Sequence, residues 1–237
     1  MFMKIGLVSY LFKNKDVIFN MLQIQNAMQE CEKDTDVLCF SEAFLQGFDV
    51  LSNVYEIDEK LAVSKDGAII ERIKSWTLEY NVGVMFGYIE KDNDCLYSSY
   101  IFIDRGEIKH HYRRISEGWK EIDKTDAHYK EGNCTDAFMY KGHHCNIALC
   151  GDGWVSPEKF SCKDLLFWPV YLNFNEEVWE SEKYEYAKQA QSMCNKCVLI
   201  NAISKEPDSV GGAFYFENGK ISKENGYYKE KILYVEI

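Results

Sequence analysis

Apolar residues in this chain come in short runs that alternate with stretches of helical spacing. Lys4–Tyr10 is one such run, and its length and near-uniform apolarity predict a buried strand. Over Asp16–Lys33, Val17, Met21, Ile24 and Met28 recur three and four positions apart, the stripe of an amphipathic helix. Asp36–Phe40 is a second apolar run and ends at Ser41-Glu42. Strand, helix and strand in that order predict a parallel pair with a right-handed crossover. Ile69–Leu78 carries another helical stripe. Val82–Ile89, Cys95–Asp104 and Glu107–Tyr112 then read as a meander, with turns at Lys91–Asp94 and Arg105-Gly106.

Ser116–Asp136 is polar, aromatic and aperiodic, the pattern of a long ordered loop, and such loops tend to carry function. Cys145–Leu149 and Leu165–Val170 read as strands. Between them Ser156-Pro157-Glu158 marks a helix start, with Ser156 as cap and Pro157 in the first turn. Glu177–Asn195 reads as a helix with Ala187, Ala190 and Gln191 on one face, followed by a strand over Cys197–Ala202. Asn218-Gly219 between Ala213–Phe216 and Lys220–Ser222 is a strong hairpin signal, and Ile232–Ile237 closes the pattern as a last strand. The two halves share one layout that mixes crossovers with hairpins. Two sheets packed together with helices outside both would bury this much apolar surface.

Composition narrows the picture. The 237 residues suit one domain spanning 1–237, and 46% hydrophobic with 27% charged content excludes wholesale disorder. Sixteen tyrosines and fourteen phenylalanines supply a large core. A net charge of −11 repels phosphate backbones and anionic lipid, so neither nucleic acid nor membrane is an expected partner. Met1–Phe12 is apolar but lacks a basic flank and a small-residue cleavage site, so it reads as a first strand and not as a signal peptide. Nine cysteines without an export signal fit reduced thiols in the cytoplasm.

Two strand ends carry the candidate chemistry. Glu42 follows Val37-Leu38-Cys39-Phe40, and Cys150 follows Ile147-Ala148-Leu149. Carboxyl ends of strands are where open α/β sheets bind ligands, so a carboxylate and a thiol there can face one cleft. A helix start just beyond Cys150 would lower the thiol's pKa and offer N–H groups to an oxyanion. Other motifs are weaker. Cys194-Asn195-Lys196-Cys197 ends a helix and starts a strand, whereas a redox pair of this spacing should open a helix. His110-His111 and His143-His144 sit on predicted strands, where neighbours point to opposite faces, so no metal site is expected.

Read together, Asp36-Val37-Leu38-Cys39-Phe40-Ser41-Glu42, Gly83-Val84-Met85-Phe86-Gly87-Tyr88, Tyr112-Arg113-Arg114 and Asn146-Ile147-Ala148-Leu149-Cys150-Gly151-Asp152 resemble the carbon–nitrogen hydrolase family, also called the nitrilase superfamily. Leu96-Tyr97-Ser98-Ser99, Gly132, Ile200-Asn201-Ala202 and Gly211-Gly212-Ala213 extend the likeness along nearly the whole length. The resemblance implies an α/β fold, a four-layer α-β-β-α sandwich of two mixed sheets. It also implies a Glu-Lys-Cys catalytic set without cofactor or metal, and a homodimer or higher homo-oligomer. Carried over, Glu42 is the general base and Cys150 the nucleophile that attacks an amide, N-carbamoyl or nitrile carbon of a small molecule to form a thioester. An amidase is the first expectation.

Departures from the family pattern leave alternatives open. Where the family has its lysine this chain has Arg114, which can stabilise an oxyanion but cannot trade a proton. Lys120 lies six residues on, with Gly118 between to let the loop bend back, and is set slightly ahead of Arg114 as the cation. Glu121 matches the family's substrate-orienting second glutamate, with Asp126 as a rival. Trp119, Gly151, Asp152 and Trp154 complete the candidate substrate-binding set, and Phe48 is a further candidate wall. The loss of the lysine motivates a second reading, a non-catalytic binding or regulatory protein on the same scaffold. A third is a glutamine-hydrolysing unit feeding a synthetase.

Overall fold

A computed structural model describes residues 2–237; Met1 lies outside the described residues. The first half runs β1 (Lys4–Ser9), α1 (Val17–Glu30), β2 (Val37–Cys39), α2 (Tyr55–Asp58), α3 (Ala68–Glu79), β3 (Gly83–Asp92), β4 (Cys95–Asp104) and β5 (Glu107–Arg113). The second runs β6 (Phe138–Tyr140), β7 (His143–Ile147), α4 (Asp152–Val155), a 3₁₀ turn (Pro157–Phe160), β8 (Leu165–Pro169), α5 (Glu176–Met193), β9 (Lys196–Lys205), β10 (Asp208–Glu217), β11 (Lys220–Glu224) and β12 (Lys231–Glu236).

Two six-stranded sheets result, in the orders β12-β1-β2-β3-β4-β5 and β11-β10-β9-β8-β7-β6. In each, three parallel strands (β1, β2, β3 or β7, β8, β9) are flanked by antiparallel neighbours. The repeated layout expected from the pattern is therefore the observed one. The sheets pack with β1 against β9 and β10, α3 covers the first sheet with α1 beside it, and α5 covers the second. This is the four-layer α-β-β-α sandwich.

Strand alternation sorts the side chains between layers. Val37, Cys39 and Met85 face the second sheet and join Ile147, Phe167 and Leu199 in one core, whereas Leu38, Phe40, Val84 and Phe86 face the helix layer with Ile24, Ile70 and Ile73. Aromatic rings fill much of both cores, and Trp168, Trp179 and Phe86 are fully buried. Each such side chain contributes about 2–3 kcal/mol on leaving water.

Local signals account for most element ends. Asp16 caps α1 by accepting from the Phe19 amide, and Asn175 caps α5 through Val178. Asn218 and Gly219 both take positive φ, as a primed hairpin turn requires. Three expectations need correction. Ser156 makes no side-chain cap bond, and the segment after Cys150 is a single turn, α4, followed by the 3₁₀ turn at Pro157. The short elements α2 and β6 carry no periodicity long enough to detect. The strand predicted over 145–149 begins two residues earlier and ends at Ile147, so a short extended link leads to Cys150. Among the described residues no helix is long and apolar enough to cross a membrane.

Candidate active site

Three strands deliver three functional groups to one place. Glu42 lies just past β2, Arg114 just past β5 and Cys150 just past β7. Glu42 bridges the sheets, since its amide donates to Val170 O beyond β8 at 3.4 Å. Gly87 on β3 makes room for it: a Cβ there would lie 2.7 Å from Glu42 Cα. The residue after Glu42, Ala43, and Cys150 itself both take positive φ (48° and 49°), a rare and costly conformation for non-glycine residues. The Cys150 turn is pinned on both sides, with its amide donating to Pro169 O at 2.9 Å and its carbonyl accepting from Trp168 Nε1 at 2.8 Å.

The side chains meet inside a buried pocket. Glu42 is 0% exposed and Arg114 3% exposed, so neither charge is screened by water. Arg114 Nη1 donates to Glu42 Oε1 at 2.8 Å, and Ser98 Oγ donates to the same oxygen at 3.4 Å. Glu42 Oε2 is buried and has no hydrogen-bond partner. It is the oxygen left free, and the Cys150 thiol is near enough for the Glu42 carboxylate to act on its protonation. Burial and then the Glu42 charge push the thiol up to about 12, and Arg114 pulls the other way. The Cys150 thiol also reaches Tyr171 O at 4.0 Å. Arg114 Nε donates to Ser116 Oγ at 2.8 Å. Its Nη2 lies against two glycines: a Cβ on Gly151 would sit 2.5 Å from it, and one on Gly118 would sit 3.0 Å from it.

The other sequence candidates separate from this cluster. Lys120, set ahead of Arg114 as the cation, does not reach Glu42. Its ammonium binds Tyr129 O at 2.7 Å and Glu131 Oε1 at 2.6 Å, because the loop past Gly118 turns toward 129–131 and away from β2. Trp119 is buried beside it, with its indole donating to Glu131 at 3.2 Å. Glu121 is exposed and ion-pairs with Lys124 at 2.6 Å. Asp126 is exposed as well and holds His128 at 2.9 Å. Trp154 is 44% exposed on the helix layer and packs on Trp168 and Tyr186.

Asp152 is buried and accepts four bonds: from Tyr112 Oη (2.6 Å), the Ile115 and Ser116 amides (3.2 and 2.8 Å) and the Leu149 amide (3.1 Å). Burial pushes its pKa up, and these donors offset part of the rise. That carboxylate is thus fully engaged in tying the end of β5 to the Cys150 turn, a positioning task and not substrate contact.

A cavity of about 180 Å³, with Phe48, Gly118, Trp119, Lys120 and Glu121 among its walls, opens beside the cluster. Phe48, one of these walls, stacks on Tyr171 at 4.6 Å, and the Tyr171 carbonyl faces the thiol. Ser98, Ser116, Tyr112 and Tyr171 escaped the sequence reading. Ser98 and Tyr112 lay inside quoted motifs, and nothing in their spacing marks them as carboxylate partners. Among the described residues no group of three His, Cys, Asp or Glu side chains is placed to hold a metal. His110 instead stacks on Phe138 at 4.5 Å, with its pKa lowered to about 4 by burial, and His111 meets Tyr88 Oη at 3.0 Å.

Paired sheets between helix layers, with a thiol, a carboxylate and a cation at converging strand ends, define a protein of the nitrilase fold. The carbon–nitrogen hydrolase family model matches residues 5–155, and the chain belongs to that family. An (R)-stereoselective amidase from a Pseudomonas species is 25% identical over 150 residues, which is 63% of this chain. The chain spans about half of that amidase, 52% of its length. Two solved structures share the fold. A CN-hydrolase superfamily protein from Xanthomonas campestris superposes with a TM-score of 0.81 at 14% identity, covering 100% of this chain and 91% of its own. An amidase from a Nesterenkonia species superposes with a TM-score of 0.78 at 17% identity, covering 99% and 90%.

Proposed function

We propose that this protein is a cysteine-dependent hydrolase of small-molecule carbon–nitrogen bonds, an amidase first, with nitriles and N-carbamoyl compounds as the neighbouring substrate classes. One observation carries the reading: a buried carboxylate with one oxygen held by a cation and the other left unpaired beside a thiol. The Cys150 thiol, protonated at rest, gives its proton to Glu42 Oε2 as the sulfur attacks the substrate carbon. Negative charge grows on the substrate oxygen, where the permanently charged Arg114 guanidinium stabilises it through Nη2. Glu42 passes the proton to the departing nitrogen, leaving a thioester. Glu42 then takes a proton from water, which attacks the thioester and releases the acid. Trp119 and Glu121 stand in this reading as walls of the adjoining cavity, and Gly151 as the space that Arg114 needs.

Two relatives support the chemistry. A variant of the Nesterenkonia amidase is described with the acetamide moiety of fluoroacetamide added covalently at its active-site cysteine. The Xanthomonas protein is described with an arsenic adduct in its active site. The same reading carries with it a homodimer or higher homo-oligomer and a reducing cytoplasm; the nine free thiols fit the second of these.

Arg114 also favours a second reading, a non-catalytic binding protein, because it cannot trade a proton and holds Glu42 in a 2.8 Å ion pair. Intact-mass measurement after incubation with fluoroacetamide, together with ammonia release from a panel of aliphatic amides, separates the two. An adduct confined to Cys150 and turnover of at least one amide support the hydrolase. A Cys150 that reacts no faster than the other eight thiols, with no ammonia released, leaves the binding reading.

A further inference from the structure

The proposed chemistry uses one cysteine of nine. Four others gather where α5 ends over the second sheet. Cys145 sits on β7 and Cys197 on β9, both fully buried, while Cys194 follows α5 and Cys162 follows the 3₁₀ turn. All four belong to or pack against one apolar core. The backbone brings two of them together: the Cys162 amide donates to Met193 O at 3.2 Å, so Cys162 lies alongside the residue next to Cys194. The two thiols are close enough that each acts directly on the other's protonation. The stronger partner of Cys194 is therefore Cys162, across space, and not Cys197, the other member of its C-x-x-C. Cys162 is partly exposed and opens the pair to solvent, whereas Cys194 is 5% exposed.

The local chemistry separates the two sulfurs. Contact with Cys162 favours the Cys194 thiolate against the burial that would raise it, with help from the backbone at Lys196 and Leu166. Burial drives Cys145 the other way, to about 12. Within the pair Cys194 is then the sulfur that ionises first, next to a thiol that can resolve it.

We propose that Cys162 and Cys194 form a redox-active dithiol that closes to a disulfide when the protein meets a peroxide, separately from the hydrolytic site. The Cys194 thiolate attacks one peroxide oxygen, the O–O bond breaks and hydroxide leaves, giving a sulfenic acid. The Cys162 sulfur then displaces the sulfenic oxygen, which departs as water with the Cys162 proton, and the S–S bond forms. The two sulfurs lose two electrons to the peroxide, which ends as two waters once the hydroxide takes a proton from solvent. The bond would staple the segment after Phe160 to the end of α5.

Brief exposure of the whole protein to hydrogen peroxide, a maleimide quench and non-reducing peptide mapping test this directly. The expected product is about 2 Da lighter. It yields a Cys162–Cys194 linked peptide, loses two of its nine alkylatable thiols after denaturation and reverts with dithiothreitol. Closure should run faster at pH 8 than at pH 6, following the thiolate. Cys162→Ser and Cys194→Ser should each abolish the product, and Cys197→Ser should retain it. A Cys194–Cys197 linkage, or stepwise oxygen addition at Cys150 with no linked peptide, overturns the proposal. Both readouts are independent of amide hydrolysis.

Discussion

Arg113 and Arg114 are neighbours at the end of β5, yet they serve opposite ends. Adjacent strand residues point to opposite faces, and each arginine meets a fully buried glutamate on its own side. Arg113 grips Glu90 through both oxygens, Nε at 2.7 Å and Nη2 at 2.8 Å, and reaches Asp92 at 2.6 Å. Glu90 also accepts from Ser99 at 2.7 Å and faces His111 at 3.3 Å, and the Arg113 guanidinium lies 3.9 Å over the Tyr97 ring. Both oxygens are answered, and the result is a closed clasp. Arg114 holds only one oxygen of Glu42 and leaves Oε2 bare in a buried pocket. Burying an unpaired carboxylate oxygen is costly, so the second pair is incomplete in a way that stability alone does not favour. Both glutamates are fully buried and each meets an arginine; the unsatisfied oxygen is what sets apart Glu42, the one proposed to react.

The contrast can be broken in order of expected size. Glu42→Gln should lower amide turnover by about 10³-fold or more, since proton transfer and water activation both pass through it. The same variant should speed alkylation of Cys150 at pH 8, because the charge that helps push the thiol up to about 12 is gone. Equal alkylation rates would show that Glu42 does not act on the sulfur. Arg114→Ala should cost about 10²–10³-fold in turnover, the usual size for one oxyanion donor. Arg114→Lys should recover part of it, measured as ammonia release at saturating amide.

Arg113→Ala should leave turnover per folded molecule within about twofold. It should nevertheless destabilise the fold by about 3 kcal/mol in urea denaturation, because the buried Glu90 keeps only Ser99 and His111 as partners. Comparable losses of activity for Arg113→Ala and Arg114→Ala would erase the distinction between the two pairs.

A pH comparison is the smallest effect and the finest. Burial raises Glu90, but Arg113, His111 and Ser99 win and hold it at about 2, below the ordinary 4.5. Its contribution is therefore present above about pH 4.5 and is lost as pH falls toward 2. Glu90→Gln should flatten that acid limb in a stability–pH series. Cys150 runs the other way. Its folded pKa of about 12 exceeds the ordinary 9, so its contribution is present below about pH 9 and is lost as pH rises toward 12. Cys150→Ala should flatten the alkaline limb and leave the acid limb unchanged.

Periodicity and turn chemistry made the two-sheet layout legible, because buried parallel strands leave continuous apolar runs and hairpins leave Asn-Gly or Arg-Gly marks. Glu42 and Cys150 were legible as polar residues ending such runs. The cation was not, because the choice between Arg114 and Lys120 depends on where an aperiodic loop turns. That path is set by long-range bonds such as Lys120 to Tyr129 O and Gly132 N to Arg114 O, which leave no local pattern. Asp152 was legible as part of a motif but not in its task, since its four donors come from segments up to forty residues away.

The reach of Asp152 has a consequence for how the molecule assembles. Its carboxylate collects donors from the strand ends of both sheets, so those bonds exist only after the sheets have docked face to face. The chain can therefore form each sheet, and much of its ellipticity, while the Cys150 turn is held from its own sheet alone and lacks the Asp152 tie to β5. Refolding followed by fluoroacetamide labelling of Cys150 should lag refolding followed by circular dichroism, and Asp152→Asn should widen that lag more than it lowers the final helical signal.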